Sequence, residues 1–216
     1  MMNLMFWTNK KIFLDYASST PVSKEVLEVM GPYESDKFYN ASSIYEEGRM
    51  VRAEIERERE EIAKILGATS SNILFTSGGT ASNYLALSGV EDGHFIIAED
   101  SHPSILDSLK GKDYSIWRVG EPLPFKENTV LVSAQVTNNK LGRLVREERK
   151  RRGGEWPILH VDATQSFQYF NVGLESLSAD LITLDSGKIY GPKGIGALVI
   201  RRGVKLNLPP QGTLPT

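Results

Sequence analysis

A chain of 216 residues is long enough for one sizeable core, and its net charge of −2, from 25 basic and 27 acidic residues, leaves no polycationic face for nucleic acid. The absence of cysteine excludes disulfides, thiolate metal sites and thiol nucleophiles within the sequence. The opening MMNLMFWTNKK has an apolar run too short for a secretory segment, and no later stretch reaches membrane-spanning length. The expectation is a cytoplasmic protein with a small-molecule partner, no nucleic acid and no membrane.

Residues 1–11 read as an N-terminal extension. A helix is predicted from Ser43 to Leu66: Ser43 and Glu46 have capping-box spacing, Val51, Ile55, Ile62, Ile65 and Leu66 form an apolar stripe, and Gly67 suits the stop. The charged ERERE between those anchors is a solvated face. From Ile73 onward, short β-branched runs alternate with helical patterns: ILFT (73–76), HFIIAE (94–99), YSIWRV (114–119), TVLVSAQ (129–135), PILHVDA (157–163), DLITLD (180–185) and GALVIR (196–201). Such alternation predicts the α/β class, a mostly parallel seven-stranded sheet with helices on both faces, in one domain over 12–203. The basic run Arg146–Arg152 reads as the exposed side and last turn of a helix. Residues 204–216, ending NLPPQGTLPT, read as a proline-rich loop.

The residues with chemistry gather at strand ends. TSGGTASNYLAL follows the first strand and opens a helix, so its backbone N–H groups offer an anion seat to which Thr80 adds a hydroxyl. An ordinary strand-to-helix loop has the same composition. His102, before Pro103 in EDSHPSILD, stands where an imidazole can stack on a planar ligand or cap a helix. Asn139 in TNNKLG can bond a phenolic oxygen or serve a turn. His160 lies in an apolar strand and reads as a core histidine; His94 reads as surface. Asp162, inside the same apolar strand, requires a partner, either a ligand's pyridinium or a structural ion pair. With Gln165 after it and Lys188 at a later strand end, an amine, a carboxylate and an amide are supplied together. A lysine can hold an aldehyde as a Schiff base while an aspartate keeps a pyridine nitrogen protonated, which is the chemistry of pyridoxal phosphate. GPKGIG reads as a tight turn before the last strand.

In order, LDYASSTPV, YNASSIYEEGR, FTSGGTASNYLAL, HPSILD, TNNKLG, HVDATQS and KIYGPKGIGALVIRR resemble the cofactor domain of class V, fold-type I pyridoxal-phosphate enzymes, specifically the cysteine desulfurases. The likeness covers about Ile12 to Arg202, and HVDATQ with KIYGPKG is its most specific part. The resemblance implies that Lys188 forms the Schiff base and acts catalytically with His102, which stacks on the ring. It further implies that Asp162 pairs with the pyridine nitrogen, that Gln165 and Asn139 flank the phenolic oxygen, and that Gly79 and Thr80 bind the phosphate. Thr213 matches a threonine that reaches the phosphate of a partner subunit, implying a homodimer. The implied reaction takes sulfur from cysteine, leaving alanine and an enzyme persulfide for a sulfur-acceptor protein.

The sequence also departs from that pattern. Asp185 and Gly187 stand where the family usually has a serine and a histidine directed at the phosphate. An aspartate about 5 Å from that phosphate would be repelled by roughly 3 kcal/mol per unit charge at an effective dielectric near 20. Either Ser186 substitutes as a phosphate ligand or Asp185 turns away. Tyr45 occupies a place where a histidine is common, and the thiol and arginine of the family's C-terminal small domain have no counterpart. Residues 204–216 therefore read as a truncated loop towards that domain. Two further readings are a class V aminotransferase or lyase, which needs no thiol, and a non-catalytic dimerisation module keeping the fold.

Overall fold

The computed structural model describes residues 11–136 and 138–208. Two helices precede the sheet, α1 (Lys24–Ser35) and α2 (Glu46–Leu66). There follow β1 (Ile73–Thr76), α3 (Gly79–Ser88), β2 (His94–Ala98), α4 (Pro103–Asp107), β3 (Asp113–Trp117), β4 (Thr129–Ala134), α5 (Lys140–Arg152), β5 (Ile158–Asp162), β6 (Leu181–Asp185) and β7 (Gly196–Ile200). All seven predicted runs are strands, most of them one or two residues shorter than the apolar run that announced them. The basic 146–152 run ends α5, but it is not all exposed: Arg149 is half-buried against Asp180 and Pro157 O, and Arg152 donates to the carbonyls of Lys126, Glu127 and Thr129.

The seven strands form one sheet in the order β1-β7-β6-β5-β4-β2-β3. The ladders from β6 through β5, β4 and β2 to β3 are parallel, whereas β7 runs antiparallel to both β1 and β6. Successive strand residues point to opposite faces and each face is covered. On one side, Ile96, Val132, Leu159, Val161 and Ile182 pack with Leu66 of α2 and with Leu141 and Val145 of α5. On the other, Phe95, Ile97, Leu131 and Leu198 pack with Leu85 and Leu87 of α3 and Ile105 of α4.

Three local expectations are corrected. Helix α2 starts at Glu46 with Tyr45 at its N-cap, and Ser43 makes no capping box. The Ser43 amide is bonded to Asn40 O in a turn folded over the helix start, so tightly that a Cβ on Gly48 would lie 2.8 Å from Asn40 O. The apolar stripe of α2 is narrower than its sequence suggests, with Val51 and Leu66 buried but Ile55 and Ile65 exposed. His94 is buried rather than on the surface. It opens a central strand, and its ring nitrogens bond Thr129 Oγ1 and Ser115 Oγ, both at 2.9 Å.

Candidate active site

Because β1 is parallel to β2–β6, the ends Thr76, Ala98, Ala134, Asp162 and Asp185 emerge on one edge, where open α/β sheets gather their ligands. Strand β7 starts at this edge, with Gly196 opposite both Thr76 and Asp185. Its approach is close: a Cβ on Gly196 would lie 2.6 Å from Leu184 O and 2.7 Å from the Gly78 carbonyl carbon. Gly78 has φ +146°, open to glycine but not to residues with a side chain, and this turn delivers Gly79 as the first residue of α3.

Beneath this edge lies a cavity of about 240 Å³ lined by Gly79, Thr80, Asn83, His102, Gln135, Asp162, Thr164, Gln165, Asp185 and Lys188. Six of the residues singled out in the sequence are therefore brought together: Lys188, Asp162, Gln165, His102, Gly79 and Thr80. Asn139 heads α5 and is not among the lining residues. Gln135, the last residue of a predicted strand run, contributes an amide there. Ser186 turns its hydroxyl to the carbonyls of Pro192 and Ile195 and leaves the cavity. Thr213 lies outside the described residues.

Asp162 is buried, with 3% of its surface exposed, and is held by hydrogen bonds rather than by an ion pair. Asn83 Nδ2 of α3 donates to its Oδ2 at 2.9 Å, and Thr164 donates to its Oδ1 from both backbone (3.1 Å) and hydroxyl (2.8 Å). The Asn83 support was missed because it lies 79 positions away in the chain. Two residues earlier on the same face of β5, His160 bonds Ser133 Oγ (2.9 Å) and Thr183 Oγ1 (3.0 Å). Its complete burial lowers its pKa from 6.5 to about 4, with Asp162 pulling weakly the other way. His102 is the N-cap of α4, its Nδ1 accepting from Ser104 N (3.2 Å) and meeting Ser104 Oγ (2.8 Å). The capping and ligand-facing readings of this histidine are compatible, since the cap fixes the ring at the cavity wall.

Lys188 sits in a short turn after β6. Its ammonium donates to the carbonyls of Ala17 (3.2 Å) and Ser18 (2.5 Å), and Gln165 Nε2 donates to the same Ala17 oxygen (2.8 Å). The N-terminal segment thus forms a strap across the lysine. Thr20 fastens it: its amide and hydroxyl both reach Gly187 O (3.0 and 3.1 Å), and its oxygen accepts from Tyr190 N (2.8 Å).

Asp185 does not turn away. Its Oδ2 accepts from the Gly79 amide at 2.8 Å and its Oδ1 from the Gly187 amide at 2.8 Å, so a carboxylate of the chain itself occupies the head of α3. Among the described residues there is no cluster of metal-ligating side chains, and no helix is long and apolar enough to cross a membrane.

The sequence profile of the class-V aminotransferases matches residues 12–113 and 123–213. The chain belongs to the class-V aminotransferase family. Members of this family depend on pyridoxal phosphate. Among curated relatives, a cysteine desulfurase IscS of Dictyoglomus turgidum is 37% identical over 92% of this chain and 56% of its own length. Cysteine desulfurase IscS 1 of Archaeoglobus fulgidus is 36% identical over 90% of this chain and 56% of its own length. Among solved structures, SspA in complex with cysteine superposes with a TM-score of 0.80 at 30% identity, covering 93% of this chain and 64% of that one. A NifS-like protein superposes with the same TM-score at 26% identity, covering 91% and 60%. The chain thus spans just over half the length of the curated relatives it matches.

The cavity fits the ring and aldehyde end of the family's cofactor. It offers a primary amine, a buried carboxylate fixed by three donors, and the orphaned Asn83 Oδ1, which is buried without a hydrogen-bond partner among the described residues. The anion end fits poorly, because the Gly79 amide is already engaged by Asp185.

Proposed function

We propose that this chain is the cofactor-binding part of a cysteine desulfurase-type enzyme, with residues 12–203 as the binding domain. The observation that carries this reading is that Lys188 and Asp162, 26 positions apart in sequence, line the same small cavity. When bound, the cofactor supplies an aldehyde carbon for the lysine amine and an electron-withdrawing ring. The chain's residues prepare the site for it. The carbonyls of Ala17 and Ser18 hold the Lys188 nitrogen at one place, and the nitrogen must give up a proton before it can attack a carbonyl carbon. Asp162 is aimed into the cavity by its hydrogen bonds from Asn83 and Thr164, where it would hold the ring nitrogen of the bound cofactor. His102 supplies a flat wall, and Gln165, tied to the strap, supplies an amide at the rim.

In this reading the substrate is cysteine, as the name of the SspA complex and the desulfurase relatives suggest. The chain has no cysteine, so the thiol that receives sulfur would come from outside these 216 residues, as would the acceptor protein and any role in iron–sulfur assembly. A homodimer is part of the proposal, supported by the exposed apolar residues of the strap and α1: Ile12, Phe13, Leu14, Leu27 and Val29. Sedimentation velocity should give twice the chain mass; a monomer at every concentration would remove the dimer from the reading.

The deciding experiment is chemical trapping. Incubation with pyridoxal or pyridoxal 5′-phosphate, reduction with borohydride and peptide mass analysis should place the adduct on Lys188, and Lys188→Ala should lose it. An adduct spread over surface lysines, undiminished in the variant, would sink the assignment.

A further inference from the structure

The unusual feature of the cavity is its anion end. A helix start with free amides attracts negative charge, yet here a negative side chain is already bonded there, 106 positions away in the chain. Both carboxylate oxygens are engaged, one by Gly79 N and one by Gly187 N, each at 2.8 Å. The contact is intimate, since a Cβ on Gly79 would stand 3.2 Å from Asp185 Oδ2. The neighbouring depression of about 700 Å³ is lined by Ser77 to Ala81, Tyr84, His102 to Ser104, Asp107, Ser108 and Asp185, with no lysine or arginine. Asp107 is paired there with Lys110 at 2.9 Å, an exposed pair, which leaves Asp185 as the carboxylate bonded at the helix start. Ser186, the one alternative anion ligand in the turn, is committed to two carbonyls. Asn83, which lines the same cavity, keeps a buried Oδ1 without a hydrogen-bond partner among the described residues.

We propose that Asp185 is a built-in occupant of the anion seat, so that the cavity takes a pyridoxal-type aldehyde whose 5′ substituent is uncharged in preference to the phosphorylated form. The choice of ligand rests on the functional reading above; the occupied seat does not. A neutral hydroxymethyl group can donate a hydrogen bond to the carboxylate, whereas a phosphate must displace it from two amides or sit against it. The preference is thus set by one side chain, and changing that side chain should reverse it.

The test uses the full chain and the variants Asp185→Ser and Asp185→Asn, each checked for folding by circular dichroism and thermal unfolding. Borohydride trapping at Lys188 gives an apparent affinity for pyridoxal and for pyridoxal 5′-phosphate. The ratio favouring the phosphorylated aldehyde should rise by about tenfold or more in Asp185→Ser, with Asp185→Asn between it and the parent. Inorganic phosphate, followed by ³¹P line broadening, should bind the variants and not the parent. A ratio unchanged by both substitutions, together with equal phosphate binding in all three proteins, would overturn the proposal while leaving Lys188 as the aldehyde site. If instead neither aldehyde reacts at Lys188 but phosphate binding appears on removing Asp185, the functional reading fails and the occupied seat stands.

Discussion

His160 is inert at neutral pH for a reason that can be measured. Its folded pKa of about 4 lies below the ordinary 6.5 because burial excludes the charged form. As pH falls through 6.5 the unfolded chain takes up a proton that the folded chain refuses until about pH 4. Stability is therefore complete above 6.5 and is lost as pH falls towards 4, by an amount on the order of 3 kcal/mol. His94, whose pKa is lowered chiefly by burial, adds in the same direction. Urea unfolding between pH 7 and pH 5 should show the decline, and His160→Gln should flatten it; an unchanged slope in the variant would remove His160 as its source. This residue's core role was legible because a histidine in an apolar strand has few other options. His94 was misjudged because the strand patterns do not reveal that its neighbours on both sides supply hydroxyls. Asp162 was legible as a group in need of partners, but one of them, Asn83, depends on how α3 lies over β5, whereas Thr164 is a neighbour two residues on.

At the scale of elements, the strands were read well since each is an apolar run bounded by turn residues, and that signal is local. The lysine turn shows what locality leaves out. Gly187, Lys188 and Tyr190 are held by a segment some 170 positions earlier, through Thr20, which is buried to 2% exposure. Thr20→Val preserves shape but removes a donor to Gly187 O and an acceptor for Tyr190 N. The expected loss is about 1–3 kcal/mol in urea unfolding, since the Tyr190 amide is left without its partner. Because the same strap carries the Ala17 and Ser18 carbonyls, trapping at Lys188 should also slow. Ser18→Ala, which removes only an exposed bond to Asp15 O, should change stability by no more than about 0.5 kcal/mol. Equal effects from the two substitutions would show that the strap does not anchor the lysine through Thr20.

Across the whole molecule, the position of the site follows from topology. Six strands pointing the same way bring Thr76, Ala98, Ala134, Asp162 and Asp185 to one edge, and β7, entering antiparallel, closes the Gly78 turn against them. The parallel majority could be anticipated from alternating strands and helices, but the insertion of β7 between β1 and β6 could not, because pairing partners are chosen by the assembled sheet. That sheet couples two helix layers that share no helix, α2 and α5 on one face, α3 and α4 on the other. Leu66→Ala should cost about 2–5 kcal/mol, as deletion of a fully buried leucine leaves a cavity. Since the central strands belong to both layers, the loss should be felt in both. With Trp7 and Trp117 replaced by phenylalanine, the remaining Trp156, which packs in the opposite layer, should report the same lowered urea midpoint as far-ultraviolet circular dichroism. A Trp156 transition that stays at the parent midpoint while the dichroism moves would mean that the layers unfold separately and that the sheet is not one cooperative unit.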